Sequence, residues 1–239
     1  MSGRAAGTAP PRIAWRVLDT PIGPVGLAWT RRGLRRVQLP SATAAATRRR
    51  LLQGCAAPVR PARQGPSWVE AFVARLRRHL AGQPQDFRDV PLDLPDGTDF
   101  ERGVWRAARR LRPGRTTSYG ALARAVGRPG AARAVGRALG RNPAPLVVPC
   151  HRVVGANGGL CGFSACGGTA LKRRLLALEG AEFTGGSRAI DAAPGPVLET
   201  VPAGSCGTPG RAGPVRIGLR STSREGRGTP RRGAARVGG

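Results

Sequence analysis

The sequence predicts an α/β chain in three stretches. A small α/β amino-terminal domain spans 10–95, a mainly helical domain built around a helix-turn-helix spans 98–182, and a disordered Arg/Gly/Pro-rich tail spans 183–239. Three observations carry this reading. Residues 15–39 alternate apolar and polar positions between turn residues, the stretch 99–140 repeats short amphipathic segments separated by Gly and Pro, and the composition changes abruptly after Glu182.

The segment 15–39 (WRVLDTPIGPVGLAWTRRGLRRVQL) carries turn signals at Pro21, Gly23, Pro24 and Gly33 and reads as two or three antiparallel strands. Residues 67–80 (SWVEAFVARLRRHL) begin with Ser67 as cap and an acid three residues on. Apolar residues at 68, 69, 72, 73, 76 and 80 make the segment one amphipathic helix. The Pro- and Asp-rich stretch 81–97 reads as a linker. In 99–111, Phe100, Val104, Ala107, Ala108 and Leu111 share one helical face. A second helix, 118–126, is capped by Ser118 and stopped at 127–129; a third, 130–139, ends at Gly140, Asn142 and Pro143. Two short helices joined by a Gly/Pro turn make a helix-turn-helix. The run 145–154 (PLVVPCHRVV) reads as a buried extended segment, and 169–178 as a last helix.

The 239 residues carry 40 basic against 13 acidic side chains, a net charge of +27. Such a field favours polyanionic partners. Every basic residue but Lys172 is arginine, so a general compositional bias would produce the same charge without nucleic acid. The stretch 183–239 holds nine Arg against three acids and is poor in apolar residues, which is the composition of a chain that cannot offset its ordering entropy. It accounts for +6, leaving +21 on residues 1–182. No run approaches the ~20 apolar residues of a membrane span. The amino-terminal stretch lacks an apolar signal core, and an odd set of five cysteines fits a reducing cytoplasm.

Within 145–154 the pair Cys150–His151 interrupts an apolar run, with Arg152 following. A buried thiol is ordinarily an inert small hydrophobe. Here an adjacent base and an adjacent cation are expected to favour the thiolate, the reactive form.

The run 142–154 (NPAPLVVPCHRVV) resembles the signature of the O6-alkylguanine-DNA alkyltransferases, in which a Pro-Cys-His-Arg segment carries the alkyl-accepting cysteine. The Ser118-Tyr119 pair, the Ala-Ala-Arg133-Ala-Val-Gly segment and Leu-Leu-Ala-Leu-Glu179-Gly match the family at family-like spacing. The likeness is close over 98–181 and looser over 15–95. It implies a ribonuclease H-like amino-terminal domain and a winged-helix character for the second. It implies a cytoplasmic monomer that acts without cofactor on double-stranded DNA containing O6-alkylguanine, and by extension O4-methylthymine. The alkyl group passes irreversibly, once per chain, to Cys150. The resemblance assigns a proton relay to His151 through a water, an orienting carboxylate to Glu179, and rotation and hydrogen bonding of the target base to Tyr119. Arg133 fills the place of a base swung out of the stack, a step that costs a few kcal/mol. Ala132, with the other small residues of the third helix, lets the backbone approach DNA, and Arg137 and Arg141 contact phosphates, which gives affinity without sequence choice. Asn142 joins the recognition helix to the active-site strand by backbone hydrogen bonds, and Val153 and Ser164 line the base pocket.

The chain departs from the family at 162–169 (GFSACGGT), which is two residues longer and contains Cys166. No metal is expected: the amino-terminal domain offers only Cys55 and His79, and Cys161 with Cys166 has no second ligand pair. Three other readings were weighed. An alkyltransferase-like lesion flag is disfavoured because Cys150 is kept. A cysteine hydrolase would take its base from a distant part of the chain, and a plain helix-turn-helix regulator would need a ligand or dimer element, which is not visible.

Overall fold

The computed structural model describes residues 12–55, 57–94 and 96–183; residues 184–239, nearly the whole of the expected disordered tail, lie outside the described residues. Strands β1 (Ile13–Leu18), β2 (Val25–Trp29) and β3 (Leu34–Gln38) form the antiparallel meander expected from 15–39, with Ala14 opposite Trp29 and Leu27 opposite Val37. Two elements that the sequence reading left out follow: helix α1 (Ala44–Leu52), capped by the Thr43 side chain on Ala46 N–H, and strand β4 (Val59–Pro61). Strand β4 pairs parallel to β1, giving the order β3-β2-β1-β4.

Both faces of this sheet are covered. Val25, Leu27 and Trp29 face α2 (Ser67–Leu80) with Phe72, Val73 and Leu76, while Ile13 and Ala28 face Leu51 of α1. Gly26 permits that second contact, because a Cβ there would stand 3.1 Å from Leu51 Cδ2. Full coverage explains why β2 is buried at every position and lacks a polar face. The start of α2 differs from the expected Ser cap. Ser67 is already helical, and Glu70 turns back to accept from Gly65 N–H at 2.7 Å and Arg16 Nη2 at 3.2 Å. The linker is ordered against the sheet, with Phe87 and Val90 in the core and Asp93 accepting from Thr30 Oγ1 at 2.6 Å.

The second half begins with α3 (Asp99–Ala108), held at its start by a reciprocal Thr98–Glu101 capping box. It stops at Ala108 rather than 111. After β5 (Thr117–Ser118) come α4 (Tyr119–Ala125), capped by Ser118 as expected, and α5 (Ala132–Gly140). The turn between α4 and α5 contains Gly127 and Gly130, both at positive φ. Helices α3, α4 and α5 enclose Val104, Leu122, Val135 and Leu139, and Trp105 Nε1 donates to Ala138 O at 2.8 Å.

The run 145–154 is not the extended segment its apolar character suggested. Val148 N–H returns to Ala144 O, Cys150–Arg152 forms a 3-10 turn, and only β6 (Val153–Val154) is strand, parallel to β5. Leu146, at φ 74, and Pro149 break the extended geometry, so apolar content here reports burial alone. The loop carrying this turn joins the halves. Ala144, Leu146 and Val147, with Leu175 of α6 (Gly168–Leu178), complete the core of the sheet half, and Val37 N–H donates to Pro143 O.

That shared core sets a stability expectation. Leu175 is fully buried, so Leu175→Ala should lower the unfolding free energy by about 2–5 kcal/mol in a urea titration. A change below the scatter of the titration would show that the seam between the halves is loosely packed.

Candidate active site

Position 150 opens the 3-10 turn, and the residue is only 9% exposed. Burial pushes the Cys150 thiol up; the Asn142 side chain, the Lys172 charge and nearby backbone N–H groups pull it back only in part. The resting group is therefore a thiol. This differs from the expectation that adjacent His151 and Arg152 favour the thiolate at rest: Arg152 and Nε2 of His151 are both engaged by a carboxylate.

That carboxylate is Glu179, at the end of α6 and 5% exposed. Arg152 grips it through Nε (2.9 Å to Oε2) and Nη2 (2.7 Å to Oε1), and spends Nη1 on Leu111 O at 2.5 Å. His151 Nε2 lies 2.9 Å from Oε1, and Gly114 N–H points at Oε2 from 3.4 Å. Gly114 sits at φ 74, and a Cβ there would stand 3.1 Å from Glu179 O, so glycine fits both constraints. Burial alone would raise the carboxyl, but the His151 and His79 rings and the Arg152 guanidinium outweigh it and hold Glu179 well below the usual carboxylate range.

His151 is fully buried, and burial lowers its pKa against the pull of Glu179, leaving a neutral ring. With Nε2 facing an ionised carboxylate, the ring proton sits on Nε2 and the lone pair on Nδ1. Nδ1 is buried and makes no hydrogen bond among the described residues. The pair is therefore set up as a base: a proton gained at Nδ1 creates an imidazolium already facing an anion.

Tyr119 opens α4 and packs against the core cluster that contains Cys150. Burial above all pushes its hydroxyl up to about 12, so it keeps its proton and can donate. Lys172 Nζ lies 3.4 Å from this oxygen and 5.6 Å from the ring centroid, and donates to Val153 O at 2.6 Å and Cys161 O at 3.3 Å. The sequence reading missed Lys172, although it is the one lysine among forty basic residues and is wholly buried.

The other expected residues separate into groups. Arg133 and Arg137 are exposed on α5, with Ala132 at its first position. Arg141 is exposed but engaged, bonding Glu101 Oε1 at 2.9 Å. Asn142 acts through its side chain rather than the expected backbone bonds to the strand. Nδ2 donates to Val148 O at 2.7 Å, and Oδ1 accepts from Ala144 N–H. Val153 is buried and presents its carbonyl to Lys172; Ser164 is exposed and donates to Gly140 O at 3.3 Å. Cys161 carries a free thiol, so it is not paired with Cys166. Among the described residues no group of three His, Cys, Asp or Glu side chains is arranged to hold a metal ion.

Comparison with known proteins places this geometry. Residues 99–181 match the family model described as 6-O-methylguanine DNA methyltransferase, DNA binding domain. The methylated-DNA–protein-cysteine methyltransferase of Mycobacterium tuberculosis is 42% identical over 168 residues, covering 70% of this chain and 92% of that one. The protein of the same name from Methanosarcina acetivorans is 37% identical over 172 residues, covering 70% and 97%. Among solved structures, the Mycobacterium tuberculosis protein in complex with DNA is 40% identical, with a TM-score of 0.58 over 70% of this chain and 92% of that one.

The depressed Glu179 pKa has a consequence for stability. A carboxyl held low in the folded state stabilises the fold fully above about pH 4.3, where the unfolded group titrates, and loses that contribution as pH falls toward its folded value. Glu179→Gln leaves the buried Arg152 unpaired and should cost about 3–5 kcal/mol at pH 7. The gap between wild type and variant should narrow at pH 3, as read by urea unfolding at both values. A gap that is constant or wider in acid would show that Glu179 is not the ionised partner.

Proposed function

The chain belongs to the methylated-DNA–protein-cysteine methyltransferase family, and we propose from the geometry above that Cys150 is its alkyl acceptor, with His151 and Glu179 as the proton relay. The protein repairs alkylated DNA by moving the alkyl group onto a cysteine of its own. The observation that carries the residue assignment is the orientation of His151, with Nε2 on the carboxylate and Nδ1 unoccupied beside the thiol's own turn.

In the proposed sequence, Nδ1 of His151 takes the Cys150 proton, directly or through one water. The thiolate Sγ attacks the alkyl carbon in line with its bond to O6 of guanine. An S–C bond forms, the C–O6 bond breaks, and its electron pair stays with the base. Tyr119 donates from its hydroxyl to the base as that charge develops, with the Lys172 ammonium beside it. The imidazolium on His151 is held by Glu179 until its proton leaves to solvent, and the guanine anion takes up one proton in exchange. A thioether does not exchange as a disulfide does, so each chain acts once.

The target base is stacked in the duplex and must be swung out. Exposed Arg133 on the first turn of α5 is the group we assign to the vacated place, with Ala132 allowing close approach and Arg137 and Arg141 on phosphates. Val153 and Ser164 are the proposed base contacts. Three antiparallel strands followed by a crossover to a parallel fourth support a ribonuclease H-like reading of 10–95, and the β5–β6 pair beside α4 and α5 supports a winged-helix reading of 98–182. DNA is the partner of the relative in the solved complex and, in this proposal, of this chain. We further infer a cytoplasmic monomer; among the described residues no helix is long and apolar enough to cross a membrane.

Cys150→Ala should abolish transfer from an O6-methylguanine duplex while leaving DNA binding intact; transfer that survives the substitution would reject the assignment. Arg133→Ala should slow repair in duplex by about tenfold or more, since losing even part of the few kcal/mol that unstacking requires is felt at 1.4 kcal/mol per decade. Its reaction with free O6-benzylguanine should stay near wild type, and equal loss on both substrates would argue against base extrusion. A chain lacking residues 183–239 should keep the chemistry and show a shallower salt dependence of DNA affinity. Loss of transfer in that folded truncation would overturn the proposed boundary.

A further inference from the structure

Two histidines are present in the chain, and both end at the same oxygen. His151 belongs to the relay. The other, His79, comes from the last turn of α2 in the amino-terminal half, and the sequence reading considered it only as a zinc ligand that lacked partners. Its ring is fully buried. Nδ1 accepts the Gln85 backbone N–H at 3.0 Å, which puts the ring proton on Nε2. Nε2 lies 3.2 Å from Glu179 Oε1, the oxygen that also faces His151, but without the alignment of a hydrogen bond. The ring is steadied edge-on to Phe87, with centroids 5.1 Å apart and planes at 64°.

A buried donor with no aligned partner needs an explanation, because desolvating an N–H without satisfying it is unfavourable. Free enzymes often hold catalytic hydrogen bonds long or misaligned, and these tighten as the reaction complex forms. The relay gives this contact a reason to tighten. As His151 gains a proton, Oε1 is drawn toward it, and the carboxylate can swing about its Arg152 grip unless a second group limits the motion. A neutral N–H suits that task, since Arg152 already matches the charge of Glu179 and a further cation would weaken the carboxylate's hold on the imidazolium.

We propose that His79 is a positioning residue for alkyl transfer: its Nε2–H fixes Oε1 of Glu179 so that His151 presents Nδ1 to Cys150. The inference rests on the relay reading of Cys150, His151 and Glu179. It adds that the amino-terminal half supplies a working part of the site, through α2, and does more than support it.

The test has two arms. Single-turnover transfer from an O6-methylguanine duplex, read as maximal rate and half-saturating DNA concentration, is compared for His79→Phe, His79→Gln and wild type. His79→Phe should lower the maximal rate about ten- to a hundredfold, the range for a small misplacement of a catalytic group, with half-saturation unchanged. His79→Gln keeps a donor near the Nε2 position and should recover most of the rate. An unchanged rate in His79→Phe, or equal loss in both variants at equal folded content, overturns the proposal. The second arm needs no variant to fold. In the imidazole nitrogen NMR spectrum of the wild-type chain, with only two rings to assign, both should be neutral with the proton on Nε2. A proton on Nδ1 of His79 would put a lone pair against the carboxylate and overturn the proposal even if Cys150 is confirmed as acceptor. Absence of any transfer in wild type would fault the relay reading instead, and leaves this second arm to decide the His79 contact.

Discussion

The molecule is organised around one buried anion. Glu179 sits nearly out of contact with solvent, and its charge is tolerable there because Arg152 meets it through two nitrogens while His151 and Gly114 supply further N–H groups. These partners come from different places in the chain. Arg152 and His151 lie in the 3-10 turn, Gly114 in the loop after α3, and His79 on α2 in the other half. A buried carboxylate with so many converging partners needs both halves packed, which the shared core of Ala144, Leu146, Val147 and Leu175 provides. Fold and chemistry therefore depend on the same contact.

The arrangement also explains how a cysteine can be reactive only on demand. Burial, which raises the thiol's pKa, disfavours the thiolate, the form open to adventitious alkylation and oxidation. In the proposed relay, reactivity is created when the proton moves to a neutral imidazole already oriented by its anion. The high pKa of Tyr119 keeps its proton available for a leaving base in the proposed reaction, with Lys172 held beside it by two backbone carbonyls. In that reaction the thiol loses its proton to His151, and the departing base meets the Tyr119 donor.

Much of this was legible in the chain. The alternation of 15–39, the Ser118 cap and the Gly turns around 127–130 fixed local structure because local chemistry dictates it, and the Pro-Cys-His-Arg run with Glu179 pointed by resemblance to the reacting centre proposed above. What was not legible has physical causes. Helix α1 is rich in Ala and Arg and buries only Thr47 and Leu51, so its periodicity is faint, and the three residues of β4 are all exposed. The extended reading of 145–154 failed because a buried turn is as apolar as a buried strand. The contacts that bring Arg152, Lys172 and His79 to the site join residues 11 to 100 positions apart, which no local pattern encodes. Adjacency misled only in part at Cys150, where Arg152 and Nε2 of His151 are engaged by Glu179.

The central claim is that the sulfur of Cys150, deprotonated through His151, is where the lesion's carbon ends. Its most direct test is peptide mass mapping of the folded chain after one equivalent of O6-methylguanine duplex has been consumed. The account predicts a gain of one methylene's mass on the Cys150 peptide alone, in proportion to lesion lost, with the Cys55 and Cys161 peptides unchanged. Loss of the lesion with Cys150 unmodified, or with the added mass on another residue, would contradict it.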